Sequence, residues 1–207
     1  MSNLEELLLD SAEQLIGRHG YDGVSLRQIS QAAGSANNSA IHYYFKNKDG
    51  LIRAVIKRRS TAIDKRRKIL LAKIREEGRE GDAAAILEAL LWPIAEEQDE
   101  HGRCPYAAFL LALRVLADIT HWQTIADSPH LTRQLYALLK KTLRTIPDDL
   151  VEMRFLAAFT SFLIAIVDWD LGKAYPGSQI RTRDEFLQFS LDYAVAGVVA
   201  AYQPVQN

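Results

Sequence analysis

Apolar positions recur at three- and four-residue spacing almost throughout the 207-residue chain, which is the period of amphipathic helices. No run alternates apolar and polar residues between turn signals, so no strand is predicted. The pattern divides into about nine helical segments. The first runs from about Leu4 to Arg18, with Leu4, Leu8, Ala12, Leu15 and Ile16 on one stripe and Gly20 as a stop. Ser25 with Gln28 makes a capping box that opens a second helix, whose apolar face is Leu26, Ile29 and Ala33 and whose stop is Gly34. A third, short helix runs from about Asn38 to Phe45, with Ile41 and Phe45 four apart and turned toward a core. Asn47 is placed to cap a long helix from Lys48 to about Glu77, apolar at Leu51, Ile52, Val55, Ile56, Ile63, Leu70 and Ile74.

Breaks at Gly78–Asp82, Asp99–Pro105, Asp127–Pro129 and Tyr175–Gly177 divide the remainder. Asp82 caps a helix from Ala83 to about Gln98, in which Pro93 predicts a kink or a local end. Further helices are predicted over Tyr106–Thr120, over Leu131–Thr145 after Ser128-Pro129, and over Asp148–Leu171 after Pro147. Thr182 or Asp184 opens the last one, which ends near Tyr202.

Two places depart from the ordinary amphipathic pattern. The short third helix carries Asn38, Ser39, His42 and Tyr43 on the side away from Ile41 and Phe45. Amide, hydroxyl, imidazole and phenol groups can read base edges or bind phosphate oxygens. Two short helices joined by a tight glycine turn, the second polar outside, form a helix-turn-helix, although the same pattern also describes a plain helical hairpin. The last two helices are apolar on more than one face, at Phe155, Leu156, Phe159, Phe162, Leu163, Ile166 and Val167 and at Leu191, Tyr193, Ala194, Val195, Val198, Val199 and Ala201. A helix apolar all round needs cover all round, and a second copy of the chain would supply it. Ala194, Gly197, Val198 and Ala201 are expected to form a line of small groups permitting close helix approach.

Residues 25–51 hold the run His42-Tyr43-Tyr44-Phe45 followed by Lys46-Asn47-Lys48-Asp49-Gly50-Leu51, preceded by Gly20-Tyr21-Asp22-Gly23-Val24. This stretch, about a quarter of the chain, resembles the DNA-binding region of the TetR family of bacterial transcriptional repressors. Two departures accompany it: the turn after Gly34 is about one residue longer than the commonest family form, and Ile41-His42 replaces the usual Leu-Tyr pair. The resemblance implies DNA contacts from Arg27, Asn37, Asn38, Ser39, His42 and Tyr43, with Ser25, Tyr44, Lys46 and Lys48 on or near phosphates. It also implies a dimer in which the last two helices of each copy form a four-helix bundle on a two-fold axis. The expected fold is all-α: a helix-turn-helix domain over residues 1–47, joined by a long helix to a helical regulatory and dimerisation domain over residues 48–207.

Composition adds bounds. The formal charge of −1 offers no global attraction to nucleic acid, so any basic surface must be local. The basic residues of the long helix, from Arg53 to Arg75, are expected beyond Arg59 to be mainly a solvated face; Lys46 and Lys48, beside a helix start, are the better phosphate candidates. Cys104 is the single cysteine, which excludes an internal disulfide and fits a reducing cytoplasm. The start of the chain lacks the basic residues and long apolar core of a signal peptide, and Phe155–Val167 is shorter than the ~20 residues a bilayer requires; no membrane association is expected. His101, Cys104 and His121 match no zinc spacing, and no phosphate loop, nucleophile elbow or paired histidine motif occurs. Neither a metal, another cofactor nor an enzymatic activity is expected.

The expected partners are a duplex operator, a second copy of the chain and a small-molecule effector. Trp92, Tyr106, Phe109, Trp122, Phe159 and Trp169 are the candidates for effector contact, although aromatic residues at helical spacing are as readily plain core. The competing reading is a helical dimeric module or small-molecule binder without DNA binding. A salt titration of binding to random duplex separates the two, because only phosphate contact gives a steep salt dependence.

Overall fold

The computed structural model describes residues 3–35, 39–116, 130–173, 179–180 and 182–202. The described residues form nine helices and no strand: α1 (Asn3–His19), α2 (Leu26–Ala32), α3 (Ser39–Phe45), α4 (Lys48–Glu76), α5 (Ala83–Ala95), α6 (Pro105–Leu116), α7 (His130–Thr142), α8 (Asp148–Asp170) and α9 (Arg183–Val199). The chain divides into two compact units, Met1–Ile63 with Glu97–Pro129 and Asp64–Glu96 with His130–Asn207. The division falls within α4.

Local chemistry sets the helix ends. Ser25 accepts from the Gln28 backbone N–H, and the Gln28 side chain accepts from the Ser25 N–H, so the capping box that opens α2 is complete. Gly34 closes α2 in the left-handed conformation, φ 74°, with its N–H donating to Gln31 O and the Ser35 N–H to Ser30 O. That pair of bonds satisfies carbonyls left over at a helix end. Asp82 accepts from the N–H groups of Ala84 and Ala85 at the start of α5. Of the two possible openings of the last helix, the one used is Thr182, again through a reciprocal box with Glu185. Pro93 lies inside α5, and the helix ends two residues later at Ala95 rather than near Gln98. The breaks at Asp127–Pro129 and Tyr175–Gly177, and the end of the helix that starts at Pro105, lie outside the described residues.

In the first unit α1 packs against α2, α3 and α6. Leu8, Leu9, Ala12 and Ile16 are its buried apolar residues, joined by Ile29, Ile41, Phe45, Leu51, Ile52 and Val55. Gly17 allows the close approach of α6: a Cβ there would stand 3.1 Å from both Ala108 Cβ and Phe109 N. The same interior holds a charge, Glu13, only 1% exposed, paired with Arg58 and Arg59 of α4.

In the second unit α8 and α9 pack together, and α5 packs against α7, α8 and α9. Leu187, Leu191, Ala194 and Val198 form the buried stripe of α9. The expected line of small interface residues is therefore split. Ala194 and Val198 are core within the chain, while Gly197 and Ala201 are exposed. In the second half of α4, Leu71 rather than Leu70 is the buried leucine. The basic residues of α4 past Arg59 are only partly a solvated face: Arg66 pairs with Glu96, and the nearly buried Arg67 donates to Leu90 O and Thr132 Oγ1. Among the described residues α8 alone is long and apolar enough to cross a membrane, 23 residues with an 18-residue window of mean hydropathy 1.9, and this holds by length and composition only.

Candidate nucleic-acid interface

α3 is amphipathic over seven residues. Ile41 and Phe45 are buried beneath it, while Ser39, His42, Tyr43 and Tyr44 are exposed. Tyr43 is 81% exposed and meets Tyr44 edge-on, ring centroids 5.0 Å apart. A phenol ring that far out has little in its own chain to pack against.

The end of α3 is unusual. Lys46 is non-glycine yet takes φ 70°, a conformation that costs an L residue roughly 1–2 kcal/mol. Two bonds hold it there. The Lys46 N–H donates to His42 O, and His42 Nδ1 lies 2.9 Å from Lys46 O. A carbonyl only accepts, so the ring donates through Nδ1, and in the tautomer that does so Nε2 is left as the acceptor. An acceptor at that place can receive an exocyclic amino group of adenine or cytosine in the major groove. The turn into α4 is equally tight. Asn47 Oδ1 accepts from the Gly50 N–H at 2.8 Å, and a Cβ on Gly50 would stand 1.9 Å from Phe45 O.

Ser25 and Arg27 are exposed on α2 beside its start, and Lys46 is exposed in the turn. Lys48 is different. Its ammonium donates to the carbonyls of Tyr21 and Val24 and stands 4.0 Å from the centre of the Tyr21 ring. Burial holds its pKa below the ordinary lysine value, against the pull of Asp22 and Asp49. Two of its three donors thus serve the protein itself, contrary to the expectation of a side chain spent on phosphate. The sequence reading missed Tyr21 and Asp49, which complete this arrangement through a 2.8 Å bond from Tyr21 Oη to Asp49 Oδ1. Burial, followed by that bond, pushes the Tyr21 phenol up to about 12. Asn37 and Asn38 lie outside the described residues.

Residues 8–55 match the family described as bacterial regulatory proteins, tetR family. The N-terminal region belongs to the TetR family. No curated protein matches the chain. Among solved structures, the transcriptional regulator FadR from Bacillus subtilis, in complex with stearoyl-CoA, shares the fold at TM-score 0.58 and 15% identity, over 93% of this chain and 98% of that one. PfmR, a TetR family transcriptional regulator from Thermus thermophilus, aligns at TM-score 0.49 and 17% identity, over 95% and 99%. The TetR-type helix-turn-helix is α2, the turn and α3, with α1 behind it.

The six aromatic candidates for effector contact fall in different places. Tyr106 and Phe109 are buried in the first unit, their rings 6.1 Å apart. In the second unit Trp92 meets Phe162 at 6.3 Å, Phe159 meets Phe155 at 6.3 Å, and Trp169 meets Phe186 at 5.7 Å. Trp122, like His121, lies outside the described residues. An open cleft of about 500 Å³ in the first unit is lined instead by Leu9, Tyr44, Lys46, Lys57 and Arg58, among others.

Proposed function

We propose that the chain is a homodimeric transcriptional regulator, most simply a cytoplasmic repressor, which binds a palindromic operator and is released by a small-molecule effector. The outward face of α3 carries this reading: Tyr43 and His42 stand clear of the core on a helix whose other side is anchored by Ile41 and Phe45. Arg27, Ser39, His42 and Tyr43, together with Asn37 and Asn38, are the proposed base and groove contacts. Ser25, Tyr44 and Lys46 are the proposed phosphate contacts; Lys48, whose ammonium donates to the carbonyls of Tyr21 and Val24, is not among them.

One such helix reads few base pairs, and each good bidentate contact discriminates by roughly 1–3 kcal/mol. A two-fold dimer doubles that term and requires an inverted repeat. The exposed apolar residues of α8 and α9, Met153, Ile164, Phe189 and Tyr193 among them, support a second copy as their cover. Effector contacts are proposed at the aromatic candidates, with Trp92, Phe159 and Trp169 in the second unit. An effector acts only through a preference for one dimer geometry over the other, and quenching of tryptophan fluorescence reports its binding.

Selection of bound duplexes from a random pool is the direct test. An inverted repeat is the expected result, and a pool that stays unselected sinks the reading. Lys46→Gly provides a second check with effects of opposite sign. Relief of the left-handed lysine should stabilise the fold by about 0.5–1 kcal/mol, after the entropy cost of glycine. Loss of its charge should weaken all duplexes and lower the salt slope by about one. An unchanged slope would remove Lys46 from the phosphate contacts.

A further inference from the structure

Tyr21 is gripped by two consecutive residues at the start of α4. Lys48 takes its backbone carbonyl and covers its ring, while Asp49 takes its hydroxyl. Lys48 also takes the carbonyl of Val24, the residue just before the cap of α2. The loop that enters the helix-turn-helix is thereby tied to the helix that leaves it. Between these ties lie α2 and α3, each of seven residues. Helices that short are marginal by themselves, since isolated ones need ~12–15 residues. Their orientation must come from what holds the two ends.

Resting on the DNA-binding reading above, we infer that Tyr21, Lys48 and Asp49 form a clasp that sets the angle at which α3 meets the groove, Lys48 and Tyr21 acting as positioning residues for base recognition. The reason lies in donor arithmetic. An ammonium has three donors, two of them are committed to carbonyls inside the fold, and a ring occupies one side. The consequence differs from that of a phosphate contact. A phosphate contact supports every sequence alike and contributes to the salt slope. A clasp leaves the charge-driven affinity alone and acts on the preference for the right site, because only base contacts require correct aim.

The test compares the selected operator with random duplex, over a series of salt concentrations, for the full chain and for Lys48→Met, Tyr21→Leu, Tyr21→Phe and the Tyr21→Leu/Lys48→Met double variant, each well below its melting temperature. The clasp predicts that Lys48→Met and Tyr21→Leu each lower the operator-to-random ratio by about tenfold. It also predicts that they leave the random-duplex affinity and its salt slope in place, and that together they do little more than either alone. Tyr21→Phe, which keeps the ring and loses only the bond to Asp49, should lower the ratio by a few fold and remain folded even if the larger changes do not. A slope shallower by about one in Lys48→Met, with both duplexes weakened evenly, overturns the clasp in favour of a phosphate contact. Losses that add independently, or an unchanged ratio in Tyr21→Phe and Tyr21→Leu, also overturn it. A parent chain that prefers no duplex fails at the earlier step, and the clasp fails with it.

Discussion

Glu13→Ala should destabilise the first unit by about 3 kcal/mol, the lower end of the cost of breaking a buried ion pair. Glu13 accepts two bonds from Arg59, 2.9 Å from Nε and 2.7 Å from Nη2, and a third at 3.3 Å from Arg58 Nη2. Burial alone would lower the Arg59 pKa, but Glu13 and then Glu97 outweigh it and hold the guanidinium more firmly charged than usual. Removing the carboxylate strands the Arg59 guanidinium, and takes a partner from Arg58, where water is scarce. Asp10, 2.8 Å from Arg58, and Glu97, 3.2 Å from Arg59, soften the loss, which is why the lower figure is expected. Urea denaturation measures it. Replacing the pair together, Glu13→Leu with Arg59→Met, should cost less than Glu13→Ala alone, because no charge is then left without its partner. A loss below about 1 kcal/mol in the single variant would mean that water reaches the site after all. The effect bears on function because α1, which carries Glu13, is the support against which α2 and α3 pack.

Phe189→Glu with Tyr193→Glu should turn a dimer into a monomer and carry operator binding away with it. The two rings stand four residues apart on the outer side of α9, 65% and 69% exposed, opposite the stripe of Leu187, Leu191, Ala194 and Val198 that packs inside the chain. Exposed positions tolerate a charge, so helicity should survive. In a two-fold interface each substitution counts twice, and central aromatic residues are worth about 2 kcal/mol or more apiece. The dimerisation constant should then fall by at least about a thousandfold. Light scattering reads the mass, and titration of the selected operator reads the consequence. Gly197→Leu is a milder companion: a Cβ there meets nothing within 4 Å in its own chain, so a loss of dimer mass would point to the second copy. A double glutamate variant that keeps the dimer mass would move the interface elsewhere.

Both predictions concern features that the sequence hid, and the reason is the same in each. What the chain shows in its linear order is chemistry between near neighbours. Ser25 with Gln28 and Thr182 with Glu185 close their capping boxes across three residues. Gly34 ends α2 through its own backbone freedom, and Ile41 with Phe45 faces one way because they are one helical turn apart. Those contacts determined the helices, their starts, the helix-turn-helix and its exposed polar side, and the resemblance rested on the same stretch. Lys48 and Glu13 look like ordinary surface charges by the same logic, since nothing within four residues requires them to be buried.

Their partners lie 24 to 46 residues away, and only the folded chain brings them together. The division of α9 into an inner stripe and an outer one was hidden likewise, because its residues are apolar on both sides and periodicity cannot choose between them. The sequence alone determined where the helices are and which short helix turns a polar face outward. The tertiary structure decided which charges are spent inside the protein and which apolar face is left uncovered, because burial of a charge or a ring depends on neighbours that the local repeat does not contain.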